Sequence, residues 1–275
     1  MIESKVETIT PEVAAQYLAL NIKNRSIRRQ EVEAYARAIK AGTFVTTHQG
    51  IAFDDEGNLI DGQHRLMAIT TAGIPVQMMV TRGVPAKAMQ IIDRGSSRTM
   101  RDVIALGDYG DDSKARMMRN TVMLSAMSQM VSCSYRKVKI TSPEMLRLFE
   151  AFDQHAMTVY HSAVNKGVRK SQVVSAALAA LSCGVDSVGV SKFFQVFNKL
   201  DINNCDGYNV QAALNWRRQM DDAKLQGMTM NRKRIYVGTQ NAIWHFVNNT
   251  DATRVSSNGD ARYDVKNIVM SALGV

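Results

Sequence analysis

Apolar positions recur at helix and strand spacings through most of this chain, and the way the spacing changes divides it in two. Thr10-Pro11-Glu12 predicts a helix start, with Thr10 as N-cap, Pro11 in the first turn and Glu12 facing the dipole; the helix runs to about Leu20. Asn21–Arg29 reads as a polar, basic loop. Val32, Ala36 and Ile39 share one face of the next helix, which ends at Gly42. Gly50–Phe53 and Asn58–Ile60 are short apolar strands, and Asp54-Asp55-Glu56-Gly57 between them predicts a hairpin turn. A helix then runs from Arg65 to about Thr71 and breaks at Ala72-Gly73-Ile74-Pro75. Val76–Thr81 predicts a strand leading to Arg82-Gly83. Pro85–Ile92 reads as a short helix, Asp93–Thr99 as a polar loop, and a further helix to Leu106 closes this part. Gly107–Asp112 is the best boundary in the chain.

Beyond it helices dominate: Lys114–Met130, Ser142–His161, Gln172–Leu181, Ser191–Leu200, Val210–Leu225 and Gly238–Asn248. Tyr135–Ile140 is the main strand signal. Asn249–Arg262 is a polar loop before a short C-terminal helix. Met117, Met118, Met123, Met127 and Met130 read as core filler. Ala180, Gly184 and Val190 match helix-turn-helix spacing, although Gly189 would weaken the second helix. The expected fold class is therefore α+β, with a mixed domain over 8–106 and a helical, basic domain over 113–275.

Composition narrows the function classes. Hydrophobic residues make up 45% and charged residues 21%, values of a globular chain. No apolar run reaches membrane-span length, and Met1–Lys5 is too polar for a signal peptide. Cys133, Cys183 and Cys205 form no close pair, so a reduced, cytoplasmic setting is expected, and no zinc-ligand spacing occurs. The net charge of +9 is unevenly placed. Residues 1–109 hold 13 Lys and Arg against 12 Asp and Glu, whereas 110–275 hold 21 against 13. A nucleic acid is the natural polyanionic partner for that second part, with a solvated basic surface as the alternative. The basic clusters supply the candidate DNA contacts: Arg136 and Lys137 beside Tyr135, Arg217 and Arg218 beside Trp216, and Arg232-Lys233-Arg234 after Asn231. Tyr135 and Trp216 themselves read as core.

The densest chemistry lies in Asn58–Ile69, where a strand, an Asp-Gly turn and a His-Arg pair open a helix. Gly62 lets the backbone turn and approach a ligand, and the helix-start N–H groups point outward with the positive end of the dipole. Arg65 offers a forked donor suited to phosphate. His64 can donate, accept a proton, or cap the helix. Asp61 can hold Mg²⁺, orient His64, or serve as N-cap. Glu31 and Glu33 are the nearest acidic candidates for a general base, though an early helix places them poorly.

Residues 8–106 resemble the ParB/sulfiredoxin-like superfamily, above all the ParB N-terminal domain. The resemblance rests on an ordered series: Asn24-Arg25, the helix end Ala38–Gly42, the strand from Gln49-Gly50-Ile51, Asp61-Gly62-Gln63-His64-Arg65, Arg82, and Asp93–Arg98. It implies that Gly62, Gln63, His64 and Arg65 bind nucleotide phosphates and that Thr47, His48 and Gln49, with Thr46, lie where relatives contact base or ribose. Arg94, Ser96 and Arg98, with Ser97, would close over the phosphates from the other side. His before Arg looks more like the sulfiredoxin and free-serine-kinase versions than the Arg-Arg of segregation ParBs. The expected cofactor is accordingly a nucleotide, CTP or ATP, with Mg²⁺. The leading expectation is a DNA-binding protein of a bacterial or phage-infected cell, switched by nucleotide. The rival is a phosphotransferase or NTP hydrolase with Asp61 and His64 as catalytic groups, and a ParB-like nuclease ranks third. The expected partners are DNA and nucleotide, with no membrane, and a second copy of the chain is a further candidate.

Overall fold

In a computed structural model, residues 1–22, 24, 26–85, 99–106 and 113–275 are described. The chain is a mixed α+β protein, mostly helical, with a four-stranded sheet. It divides into two compact units. The first holds Met1–Ser97, Val138–Pro143 and Leu273–Val275; the second holds Arg98–Lys137 and Glu144–Ala272.

In the first unit the strands are β1 (Glu3–Ile9), β2 (Ile51–Asp54), β3 (Leu59–Asp61) and β4 (Val76–Val84), in the spatial order β1-β4-β2-β3. β4 pairs antiparallel with β1 and parallel with β2, and β2 and β3 form the expected hairpin. Asp54 shapes the hairpin turn by accepting the Glu56 and Asn58 N–H groups at 3.0 and 2.7 Å. Three helices bury their apolar stripes with the sheet: α1 (Pro11–Ala19), α2 (Arg29–Lys40) and α3 (Gln63–Ala72). Their shared core holds Ile9, Val32, Ile39, Phe53, Leu66 and Val80. Thr10 caps α1 as expected, accepting the Val13 N–H at 3.3 Å. β1 is absent from the sequence reading because only Ile9 of its seven residues is buried.

Two later segments complete this unit. Arg37 on α2 is 5% exposed, and its Nη2 donates to the Lys139 carbonyl at 2.7 Å. Lys139 Nζ in turn reaches both Glu31 oxygens, at 2.5 and 2.6 Å. The strand expected at Tyr135–Ile140 is therefore replaced by an irregular segment, whose backbone carbonyl serves a buried guanidinium instead of a sheet.

The second unit contains α4 (Met100–Leu106), α5 (Ser113–Arg119), α6 (Thr121–Ser134), α7 (Ser142–Ala151), α8 (Asp153–Val159), α9 (Ser171–Ser182), α10 (Ser187–Lys199), α11 (Val210–Leu225), α12 (Arg232–Val247) and α13 (Lys266–Leu273). Ser142 and Pro143 at the start of α7, and Leu273 at the end of α13, belong to the first unit. The expected Lys114–Met130 helix breaks at Asn120, whose side chain caps α6 by accepting the Val122 N–H at 2.9 Å. Ser142–His161 is likewise interrupted near Phe152 and ends in a π-helical turn, Tyr160–Val164. All five methionines of α5 and α6 are buried, as a core role requires. α9 is central: every residue from Val173 to Leu181 is buried. α11 and α12 meet at Gly238, where a Cβ would lie 2.2 Å from Trp216 Cη2. The Trp216 Nε1 donates to Thr239 Oγ1 at 2.9 Å. α4 packs with α5 rather than closing the first unit.

Candidate functional site

β3 ends at Asp61, the chain turns at Gly62 with φ +101°, and α3 begins. That backbone angle favours glycine, and a Cβ there would lie 3.1 Å from Ile51 and 3.2 Å from the Gly50 carbonyl. Asp61 accepts twice, from the Gly62 N–H at 2.7 Å and from Arg65 Nη2 at 2.9 Å. Arg65 Nε donates to the Gly50 carbonyl at 3.0 Å, and this side chain is only 14% exposed. Asp61 and Arg65 thus clasp the turn between β2, β3 and α3.

Gln63 and His64 are buried. Gln63 Oε1 accepts from Asn21 Nδ2 at 3.0 Å, and His64 Nε2 accepts the Arg28 backbone N–H at 3.0 Å. Accepting through Nε2 leaves the proton of a neutral imidazole on Nδ1. Asn24 Nδ2 adds bonds to Asn21 Oδ1 at 2.6 Å and to the Leu59 carbonyl at 2.7 Å. The polar loop before α2 is thereby fastened to the start of α3.

At the start of α3, Gly62 supplies no side-chain cap, and the positive end of the helix dipole lies there. Among the described residues, Arg65 Nη1 also has no hydrogen-bond partner. Of the expected catalytic groups, Asp61 is paired with Arg65, and His64 Nε2 accepts the Arg28 N–H. Both side chains make contacts that hold the turn. Among the described residues no group of three His, Cys, Asp or Glu converges to hold a metal.

Thr47, His48 and Gln49 are exposed and run directly into Gly50, beside Arg65. Thr47 and Gln49 bond one another's groups at 3.2–3.3 Å. Arg94, Ser96 and Arg98 lie outside the described residues, as do Arg25, the Pro85–Ile92 helix except Pro85, and the Gly107–Asp112 boundary. Glu31 is paired with Lys139, which leaves it poorly suited as a general base.

A second polar cluster in this unit has no sequence signal, because its members are far apart in the chain. Arg82 Nη1 and Nη2 reach Glu7 Oε1 and Oε2 at 2.6 and 3.0 Å, and the Tyr17 hydroxyl donates to Glu7 Oε2 at 3.0 Å. The Arg82 guanidinium beside it, aided by Tyr17, outweighs burial and lowers the Glu7 carboxyl to about 2. These groups bond to each other and hold β1 to β4.

The expected nucleic-acid contacts are separated by the fold. Arg217 Nη1 donates to the Phe197 and Asn198 carbonyls, both at 2.8 Å, so it caps the C-terminal end of α10. Arg218, Arg136 and Lys137 are exposed, with Arg136 over the Tyr135 ring at 5.3 Å. Arg232, Lys233 and Arg234 form the exposed first turn of α12, which Asn231 caps by accepting the Arg234 N–H at 2.8 Å. Trp216 is fully buried, as expected. The Ala180/Gly184/Val190 spacing does produce two helices joined by a short turn, α9 and α10. On α10, however, the amides of Gln195 and Asn198 bond the Asn203 and Lys166 carbonyls at 2.9 and 2.6 Å.

Compared with models of protein families, with curated proteins and with solved structures, the chain matches none. Among the described residues, no helix is long and apolar enough to cross a membrane.

Proposed function

We propose that this chain is a ParB/sulfiredoxin-like nucleotide-binding protein that engages DNA through its helical part, with the nucleotide acting as a switch on DNA affinity. The observation that carries the reading is the start of α3: a left-handed Gly62 with no side-chain cap, followed by a first turn of N–H groups. A phosphate seated there would accept from those amides and from Arg65 Nη1. The neighbouring Asp61 carboxylate would not repel it strongly, because Arg65 already offsets that charge at 2.9 Å. The DNA half of the reading rests on the excess of 21 Lys and Arg over 13 Asp and Glu after residue 109. Binding is favoured over group transfer because His64 Nε2 and both Asp61 oxygens are committed to the fold.

The test is titration of the full chain with ATP, ADP, CTP and GTP, with and without Mg²⁺, following heat of binding, phosphate release and affinity for duplex DNA. Tight binding of one nucleotide that shifts DNA affinity supports the switch. Turnover of ATP or ADP without any effect on DNA would move the protein to the phosphotransferase class. Binding to none of the four would overturn the nucleotide half of the proposal.

A further inference from the structure

The polar loop after α12 is bolted to the helices beside it. Asn209 Nδ2 and Asn215 Nδ2 donate to the Thr250 and Ala252 carbonyls at 2.6 and 2.8 Å. One turn further along α11, the Gln219 amide, in the orientation that satisfies both its ends, donates to the Val255 carbonyl at 3.0 Å and accepts its N–H at 2.9 Å. From α12, Asn241 Nδ2 donates to the Ser256 carbonyl at 2.9 Å, and Arg262 Nε fixes Asn241 Oδ1 at 3.0 Å. Side-chain amides from two helices therefore hold the backbone from Thr250 to Ser256 as a preformed wall.

That wall faces the end of α11 and the start of α12 across a groove of about 960 Å³. Two guanidinium groups line it, Arg234 from the first turn of α12 and Arg254 from the wall, and both residues are exposed. Neither side chain has a hydrogen-bond or ion-pair partner among the described residues. Arg232 and Lys233 extend the positive edge, and Lys233 meets Asp260 only at 3.8 Å. Three cations in a helix's first turn oppose its dipole, a cost that an incoming anion would relieve. Asp222 is the one carboxylate among the described lining residues. Neutral donors, Thr229, Ser256, Ser257 and Asn258, line the groove as well, together with apolar Met228 and Val255. No aromatic ring is among the described lining residues, so the groove offers no platform for stacked bases.

We infer that this groove grips the sugar-phosphate backbone of duplex DNA. Arg234 and Arg254 each pair with a phosphate, the hydroxyl and amide groups between them hydrogen-bond phosphate oxygens, and no base is read. The inference rests on the proposed DNA engagement and names the surface that performs it. It adds Arg254 and the 253–258 wall, which no cluster of basic residues in the sequence marks.

The experiment measures binding of a fluorescein-labelled duplex of arbitrary sequence to the full chain over a series of salt concentrations. The expected result is a loss of affinity in Arg234→Ala/Arg254→Ala, with the slope of log Kobs against log salt shallower by about 2. Lys166→Ala/Arg169→Ala, which removes the same charge at two exposed positions elsewhere, should keep the wild-type slope. If the wild type binds DNA and the two double variants behave alike, the groove inference falls while DNA binding stands. Wild-type protein that fails to bind duplex at low salt would overturn both. Arg254→Glu, a single exposed change, gives a second readout: affinity must fall below that of Arg254→Ala.

Discussion

The start of α3 and the start of α12 are both helix N-termini rich in basic or polar side chains, yet they use them in opposite ways. At α3, Arg65 is 14% exposed and tied to Asp61 and Gly50, while Gln63 and His64 are buried against the loop before α2. The side chains there are committed to the fold. At α12, Arg232, Lys233 and Arg234 are exposed, and among the described residues their nearest carboxylate contact is Lys233 to Asp260 at 3.8 Å. There the side chains remain for a ligand, while Asn231 already caps the backbone. A basic residue at a helix start is thus a fold element in one unit and an unspent charge in the other. Burial, rather than residue type, separates the two cases.

The comparison is sharpest in stability. Arg65→Ala removes a guanidinium that is 14% exposed and bonds both the half-buried Asp61 carboxylate and the Gly50 carbonyl, and should cost about 2 kcal/mol in chemical denaturation of the full chain. A variant that unfolds with the wild-type midpoint and slope would show that the clasp is not structural. Gly62→Ala tests the same turn through the backbone. Forcing a Cβ onto φ +101° within 3.1 Å of Ile51 should cost about 1–2 kcal/mol, read the same way.

A smaller effect is expected from Glu7, and it depends on pH. The carboxyl is lowered to about 2 in the folded chain, so its pairing with Arg82 stabilises fully above the ordinary Glu value and is lost as pH falls toward 2. Glu7→Gln should therefore flatten part of the stability loss between about pH 4.5 and 2 while lowering stability at pH 7. An unchanged acid limb in thermal melts would remove the ion pair from the account. The smallest effect belongs to the α12 side: Arg254→Ala should leave stability within about 0.5 kcal/mol of wild type. A larger loss would mean that Arg254 serves the fold, as Arg65 does, and the contrast between the two sites would collapse.

Local chemistry made much of this chain legible from its residues. Thr10-Pro11 starts a helix, Asp54–Gly57 turns a hairpin, strand, glycine turn and helix follow in order over 58–72, and α11 has the bounds its pattern predicts. Each of these depends on hydrogen bonds and side-chain spacings that close within a few residues. The sequence alone also determined that the positive charge is concentrated after residue 109. Tertiary structure decided the rest. β1 exists because seven mostly exposed residues found the edge of β4, which no apolar alternation announces. Arg37 Nη2 is met by a carbonyl 102 residues away, Arg217 by the end of α10, and Arg65 by a neighbouring turn of the sheet. The groove beside α12 was likewise invisible, since its wall is set by amides from two helices acting on a loop. A guanidinium looks the same in every sequence; only the packed chain determines whether a carbonyl, a carboxylate or water meets it, because long-range partners are chosen by burial and geometry rather than by neighbours in the chain.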